Sequence, residues 1–467
     1  MTISKYRKQM GQSGEAARRS RVLQLAQITG YLLLGAVLLC LPGMVSAQSL
    51  GEVLHQVEQK APQLHAASAR ENASSAGINV AKSQYWGHAE VFGQTTHYND
   101  DRLVNPISFP PALSRDLFDK NTYGYGTTFT LPVDIDGRIA ARVHAQEHLS
   151  QAASEDVRQT RLSLFAQTAN VYRALQRLDG VKRALDRQLK ALQENQKITA
   201  TSVRVGRVAR VELLRIEAEV QSVEGQLAGL AGDEFQLRAS LGALLDIRSF
   251  SGPVDTLLNT PPHETASENE TLLEKRPDLM SAKSITRAED ENLKGAKREY
   301  LPSLSLHAEV MRNQGYTANG DNIWSATGQL TWQFWDGGRR FANMDRVNAN
   351  REVAIQQYRR VFNQATAELA SAQAGWKAAS LQYQAAISGL NAARETERIQ
   401  ADRFAVGRIS AADFVDAEAA LARARSDHTT ALANWWLADD QLHLARGQAP
   451  LAYQAHAKQK EKPHGGH

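Results

Sequence analysis

Asp413 and Asp416 stand three places apart in the stretch FAVGRISAADFVDAEAAL, residues 404–421. That spacing puts both carboxylates on one face of a helix. Repeated around a symmetry axis, the pair would ring a constriction with negative charge, which favours cations and repels anions. Glu212 holds the position matching Asp413 in a sister stretch, VRVGRVARVELLRIEAEV, residues 203–220. Taken alone, two acids on a helix are an ordinary solvated surface. What singles these out is the Val-Gly-Arg triplet before each: Val205, Gly206, Arg207 and Val406, Gly407, Arg408. Glycine supplies the freedom a tight turn needs, so each triplet reads as the bend of an antiparallel helical hairpin. No chemistry of bond making is legible. The chain has no nucleophile elbow, phosphate loop or Cys/His zinc spacing, so neither an enzyme nor a cofactor is expected. His456, His464 and His467 lie in a polar tail that offers a metal no rigid geometry.

The elements that position these acids are written twice. Asp336, Gly337, Gly338 and Arg339 echo Asp136, Gly137 and Arg138, about 200 residues on, and the two bends are displaced by nearly the same amount. Ala61-Pro62-Gln63-Leu64 is echoed by Arg276-Pro277-Asp278-Leu279. Ordered matches at one spacing mark a duplicated unit. The division is a first repeat over 48–250, a connector over 251–270 that reads as exposed, a second repeat over 271–447, and a disordered tail over 448–467.

Each repeat reads as helix, two strands and a helical hairpin. Strands are expected at His88–His97 and around Tyr123–Leu131, with a loop over 98–122 between them. In the second repeat, Leu304, Leu306, Ala308 and Val310 alternate with polar residues, as do Trp324, Ala326, Gly328, Leu330, Trp332 and Phe334, around a loop at 312–322. A period of two with aromatic ends suits a strand between lipid and water; a half-buried strand of a soluble sheet would look similar. Asp136, Gly137 and Asp336, Gly337, Gly338 fall at the strand-to-helix junctions, where no binding role is expected. Val157, Leu164, Val171, Leu178, Leu185 and Leu192 then recur every seven residues, and so do Ile216, Val223, Leu230, Leu237 and Leu244. That period marks coiled-coil packing. A first arm of ~65 residues would reach roughly 100 Å, far beyond a hydrocarbon layer of about 30 Å.

Residues 1–47 have the order of a cleaved signal peptide: a basic segment, an apolar run over 31–41 and a small-residue site ending at Ala47. Cys40 is the single cysteine, and Leu39 before it is not the small residue that lipidation requires. The formal charge of +4 owes much to this leader and gives no reason to expect nucleic acid. Four strands cannot close a barrel, and open edges are not tolerated in lipid. Copies must therefore share one barrel in a ring, whose number the sequence leaves open.

The chain resembles the TolC-type outer-membrane factors, the exit ducts of tripartite efflux pumps and type I secretion systems. The residues that carry the resemblance are Arg276–Leu279, Tyr300-Leu301-Pro302-Ser303-Leu304, Phe334–Arg340, and Val406-Gly407 with Asp413, Asp416 and Ala417. It implies a mixed α and membrane-β fold: a homotrimer with a twelve-stranded barrel in outer-membrane lipid, continued by a twelve-helix coiled-coil tunnel through the periplasm. It implies an entrance at the bends, closed by Asp413, Asp416 and Glu212, and tips that meet a periplasmic adaptor working with an inner-membrane transporter of RND, ABC or MFS type. Ile409 departs from the arginine that some relatives carry there. The alternative is a periplasmic coiled-coil adaptor or structural protein without a pore, although an adaptor normally has one hairpin and added β-rich domains.

Overall fold

The computed structural model describes residues 47–107, 109, 111, 117–257, 260–262 and 270–461. The leader to residue 46, Cys40, His464 and His467 lie outside them. The chain divides into two units. In the small one, Gln48 forms a parallel bridge with Val254. All the helices and strands of the described residues belong to the other.

Within that larger unit the duplication is visible in element lengths. Helices α1 (Leu50–Lys60) and α2 (Pro62–Ser83) lead into strands β1 (His88–Leu103) and β2 (Phe118–Val133), then α3 (Arg138–Arg204) and α4 (Arg210–Leu244). The second repeat gives α5 (Pro277–Arg298), β3 (Ser303–Gly315), β4 (Asp321–Thr331), α6 (Arg339–Ala405) and α7 (Ala411–Ala445). Helices α3 and α6 have 67 residues each, and α4 and α7 have 35 each. No proline interrupts the long helices, whereas Pro62 and Pro277 stand at first-turn positions, where a missing N–H costs nothing. The hairpins are unequal. A 35-residue arm spans about 52 Å at 1.5 Å per residue, half its partner's length. Helices α2 and α5 continue alongside the other half of the long helices.

The heptad positions form the seams. Val157, Leu164, Leu178, Leu185 and Leu192 are buried on α3, as are Ile216, Val223 and Leu244 on α4. One cluster joins Leu185, Leu192, Ile216, Val220 and Val223 to Ala411, with Phe404 and Val415 packed against it, so the hairpins share a core near their bends. Each such side chain contributes about 1.5–3 kcal/mol when buried. Gly180 lies where α3 crosses α7, and a Cβ there would collide with the Thr429 side chain.

The four strands form one antiparallel sheet in the order β1-β2-β3-β4. Its register puts like with like. Val91, Thr127, Val310 and Trp324 form one row, and Ala89, Phe129, Ala308 and Ala326 another. On the opposite face His88, Thr130, His307 and Thr327 align, as do Glu90, Thr128, Glu309 and Ser325. The apolar face is uncovered: Val91 is 85% exposed and Trp324 is 76% exposed. Strands β1 and β4 each pair on one side only.

Four expectations need correction. Strand β1 runs to Leu103 and β2 starts at Phe118, so the 98–122 loop is shorter than its Asp/Asn-rich composition implied; paired backbone outweighs weak strand propensity. Likewise β3 and β4 reach into the expected 312–322 loop. The connector is not simply exposed: Tyr172 Oη accepts from Asp255 N at 3.1 Å, Gln176 Nε2 donates to Asp255 O at 2.9 Å, and Leu257 is buried. Within the tail expected to be disordered, Leu451–Glu461 forms a further helix, α8. It packs on α1, Tyr453 donates to Glu58 Oε2 at 2.6 Å, and its ring lies 4.7 Å from that of Phe165. Gly51 permits the close approach of Ala452. His456, in α8, places its ring 5.8 Å from His55.

Candidate functional site

Both bends have the same backbone geometry. Gly206 and Gly407 each adopt φ 71°, a left-handed conformation that glycine takes without steric cost. Gly206 N donates to Val203 O and Arg207 N to Ser202 O, at 3.0 and 2.9 Å; Gly407 N donates to Phe404 O and Arg408 N to Arg403 O, both at 2.9 Å. These are the paired bonds of a Schellman motif, which satisfy the last carbonyls of a helix. Val205, Gly206, Arg207, Val406, Gly407 and Arg408 are all exposed.

The acids after the bends behave differently. Asp413 sits at the third position of α7 and forms a capping box with Ser410: Ser410 Oγ accepts from Asp413 N, and Asp413 Oδ2 accepts from Ser410 N and Ser410 Oγ. Glu212 occupies the same position on α4, but Ala209 replaces the capping serine. With no local partner of that kind, Glu212 reaches the other hairpin, where Oε2 accepts from Ala411 N at 3.0 Å. It thereby caps the first turn of α7, where a carboxylate is favoured by free N–H groups and the helix dipole. Asp416 stands one turn beyond Asp413, and both are exposed. The structure thus brings Glu212 beside α7 and keeps both aspartates on an open face. Phe404 and Phe414 stack at 4.8 Å just behind the bend.

The strand-to-helix junctions are tied by their aspartates. Asp136 accepts from Arg138 N, and its other oxygen takes Arg138 Nε at 2.7 Å. Asp134, which the sequence motif did not single out, accepts from Ile139 N and Ala140 N and caps α3. Asp336 accepts from Gly338 N, Arg340 N and Arg340 Nε. Burial opposes its ionisation, but the Arg340 bonds outweigh that and hold its carboxyl below the usual value. Gly137, Gly337 and Gly338 have φ 74°, 67° and 90°. These junctions spend their polar groups internally. The Arg-Pro-Asp-Leu motif is also a clamp: Arg276 donates to Asp278, Glu368 and Ala445 O, tying the start of α5 to α6 and the end of α7.

Sequence reading missed one buried polar cluster. Arg173 Nε pairs with Asp440 Oδ2 at 2.9 Å, and Trp376 Nε1 donates to Asp439 Oδ1 at 3.1 Å, with His443 buried beside them. The Asp439-Asp440 doublet after Trp435-Trp436 is the only local signal, since its partner lies 267 residues away. Among the described residues, no group of three or more His, Cys, Asp or Glu could hold a metal ion, and no helix is long and apolar enough to cross a membrane.

The family model described as outer membrane efflux protein matches residues 53–245 and 270–448. The chain belongs to that family. It is a family of outer-membrane efflux channels, not of enzymes, and its members are TolC-type proteins, as the sequence resemblance implied. Membership places the chain in the outer membrane. Similar proteins include the toluene efflux pump outer membrane protein TtgC of Pseudomonas putida, 22% identical over 61% of this chain and 60% of that protein. The multidrug resistance outer membrane protein MdtQ of Escherichia coli is 26% identical over 85% of each. The chain thus spans about 60% of the length of the TtgC relative it matches. Two solved structures share the fold. VceC of Vibrio cholerae gives a TM-score of 0.71 at 20% identity, covering 86% of this chain and 96% of that one. The CmeC channel of Campylobacter jejuni gives 0.71 at 19%, covering 88% and 89%.

Proposed function

We propose that this family member is the passive exit duct of a tripartite pump, gated where the helices bend. The observation that carries the reading is the sheet. Its apolar rows are aligned and uncovered, its polar rows share the other face, and its outer edges are open. Strands of 16, 16, 13 and 11 residues meet the ~9–11 that a tilted membrane strand needs. Lipid on one face and water on the other account for the pattern, and copies of the chain remove the edges. Three copies make a barrel of twelve strands, with twelve helical arms continuing the lumen into the periplasm. Helix α6 fits this assembly: it buries only Arg340, Val347, Ala354, Ala365, Ala379 and Tyr383 among its described residues, leaving flanks for neighbouring copies. The exposed bend residues meet a periplasmic adaptor, and an inner-membrane transporter supplies the energy.

Relatives carry names of toluene, antibiotic and nickel-cobalt-cadmium systems. Cargo so varied suits a duct whose transporter does the selecting. At the entrance, Asp413 and Asp416 from three copies form a carboxylate ring, and Glu212 ties the hairpins behind it.

Single-channel conductance in a planar bilayer tests both levels of the reading. Small cation-selective openings are expected, with selectivity lost or conductance raised in the Asp413→Asn, Asp416→Asn double variant. Unchanged openings would remove the aspartate ring and keep the duct. A folded oligomer that never inserts would remove the duct.

A further inference from the structure

A cavity of about 280 Å³ lies where α1 and α8 rest on α3 and α7. Leu50 lines it from α1, Trp436 from α7, and Leu451, Ala452 and Ala455 from α8. The three α8 residues are spaced i, i+1 and i+4, so they share one side of the helix. Two of them are alanines, whose short side chains leave the space open. A cavity of roughly 150 Å³ admits a benzene molecule, and drug-sized sites begin at about 300 Å³. Two fused six-membered rings are therefore the right size here.

The polar part of the wall comes from α3 and the connector, and most of it is already engaged. Tyr172 Oη accepts from Asp255 N, and Gln176 Nε2 donates to Asp255 O. Arg173 is 8% exposed; its Nε donates to Asp440 Oδ2 and its Nη1 to Gln176 Oε1, at 2.9 and 3.0 Å. Its guanidinium lies over the Trp436 ring, 5.2 Å from the centroid. Two N–H donors remain. Arg173 Nη2 has no hydrogen-bond partner among the described residues, and Trp436 Nε1 is buried without one. Both belong to residues that line the cavity. A buried donor without an acceptor is costly, and an occupant that brings an acceptor relieves the cost. Charge narrows the class further. Asp440 matches the Arg173 charge, and Asp255 adds a second acid to the wall, so an anion would be repelled. We propose that this cavity is a binding site for an uncharged, flat aromatic molecule carrying a carbonyl or ether oxygen. Its rings lie among Leu50, Leu451 and Trp436, its oxygen accepts from Arg173 and Trp436, and its presence ties α8 to the hairpins. The site belongs to the folded chain and stands apart from the duct reading, which conductance tests separately.

Equilibrium dialysis of the intact protein in lipid nanodiscs tests it, with empty nanodiscs subtracting what dissolves in lipid. The probes are 2-acetylnaphthalene, which carries the acceptor, and 2-ethylnaphthalene, which has nearly the same shape without it. Saturable binding of the acetyl probe is expected, roughly tenfold tighter than that of the ethyl probe, as one or two hydrogen bonds supply. Hydrogen exchange in residues 451–457 should slow when it binds. Trp436→Phe keeps an aromatic wall and removes one donor, so the preference for the acetyl probe should shrink. Ala455→Phe fills the cavity and should abolish saturable binding of both probes; Trp436→Phe carries the test alone should the larger side chain dislodge α8. No saturable binding, equal affinity for the two probes, or a preference undiminished in Trp436→Phe would overturn the site.

Discussion

Glu212 and Asp413 occupy the same position after the same bend, yet a single neighbour sends them to different tasks. Ser410 engages Asp413 locally, whereas Ala209 leaves Glu212 to reach the other hairpin. Glu212→Ala should remove about 1 kcal/mol, the usual worth of an N-terminal cap, and speed exchange at the Ala411 amide while the melting temperature barely moves. Glu212→Gln, which keeps an acceptor, should restore most of the protection. Deeper in the bundle, Asp440→Ala would strand the Arg173 charge in a buried site. A loss of roughly 3–5 kcal/mol is expected, read as a lower midpoint in denaturant. Replacing both partners by apolar residues should recover much of it.

At the scale of elements, the two hairpins meet through α3 and α7, and their approach is set by what is missing at Gly180. A side chain there strikes Thr429, whose hydroxyl is already held by Arg425 O. Gly180→Val should overpack this crossing and cost about 1–3 kcal/mol, measurable as a lower unfolding temperature of the protein. The bends behave otherwise, because nothing lies near a Cβ at Gly206 or Gly407. Alanine at either meets only the left-handed backbone, so each substitution should cost about 1–2 kcal/mol, and the two costs should be alike because φ is the same.

For the whole molecule, the decisive asymmetry is between the two faces of the sheet. Val310 lies in the apolar row with Val91 and Trp324, while its neighbour Glu309 lies in the polar row with Glu90. Val310→Arg should lower the yield of membrane-assembled oligomer, since a cation on the lipid face costs about 2–4 kcal/mol near the bilayer midplane. Glu309→Arg, on the face that the proposed duct turns to its lumen, should assemble normally and shift ion selectivity toward anions. Equal tolerance of both changes would contradict a lipid-facing apolar row.

Much of this architecture is periodic, and periodicity survives in one dimension. The duplicated Val-Gly-Arg and Asp-Gly signals, the seven-residue spacing from Val157 to Leu192 and the alternation from Leu304 to Val310 depend on local backbone geometry, so the sequence alone determined the bends, the long helices and most of the strands. Tertiary structure decided what depends on partners far along the chain. Backbone pairing lengthened β1 past His97, docking on α1 turned part of the tail into a helix, and the fold joined Arg173 to Asp440. The physical reason is one of range. A turn or a heptad is encoded by neighbours a few residues apart, whereas a buried charge is stabilised by whichever helix the fold brings against it.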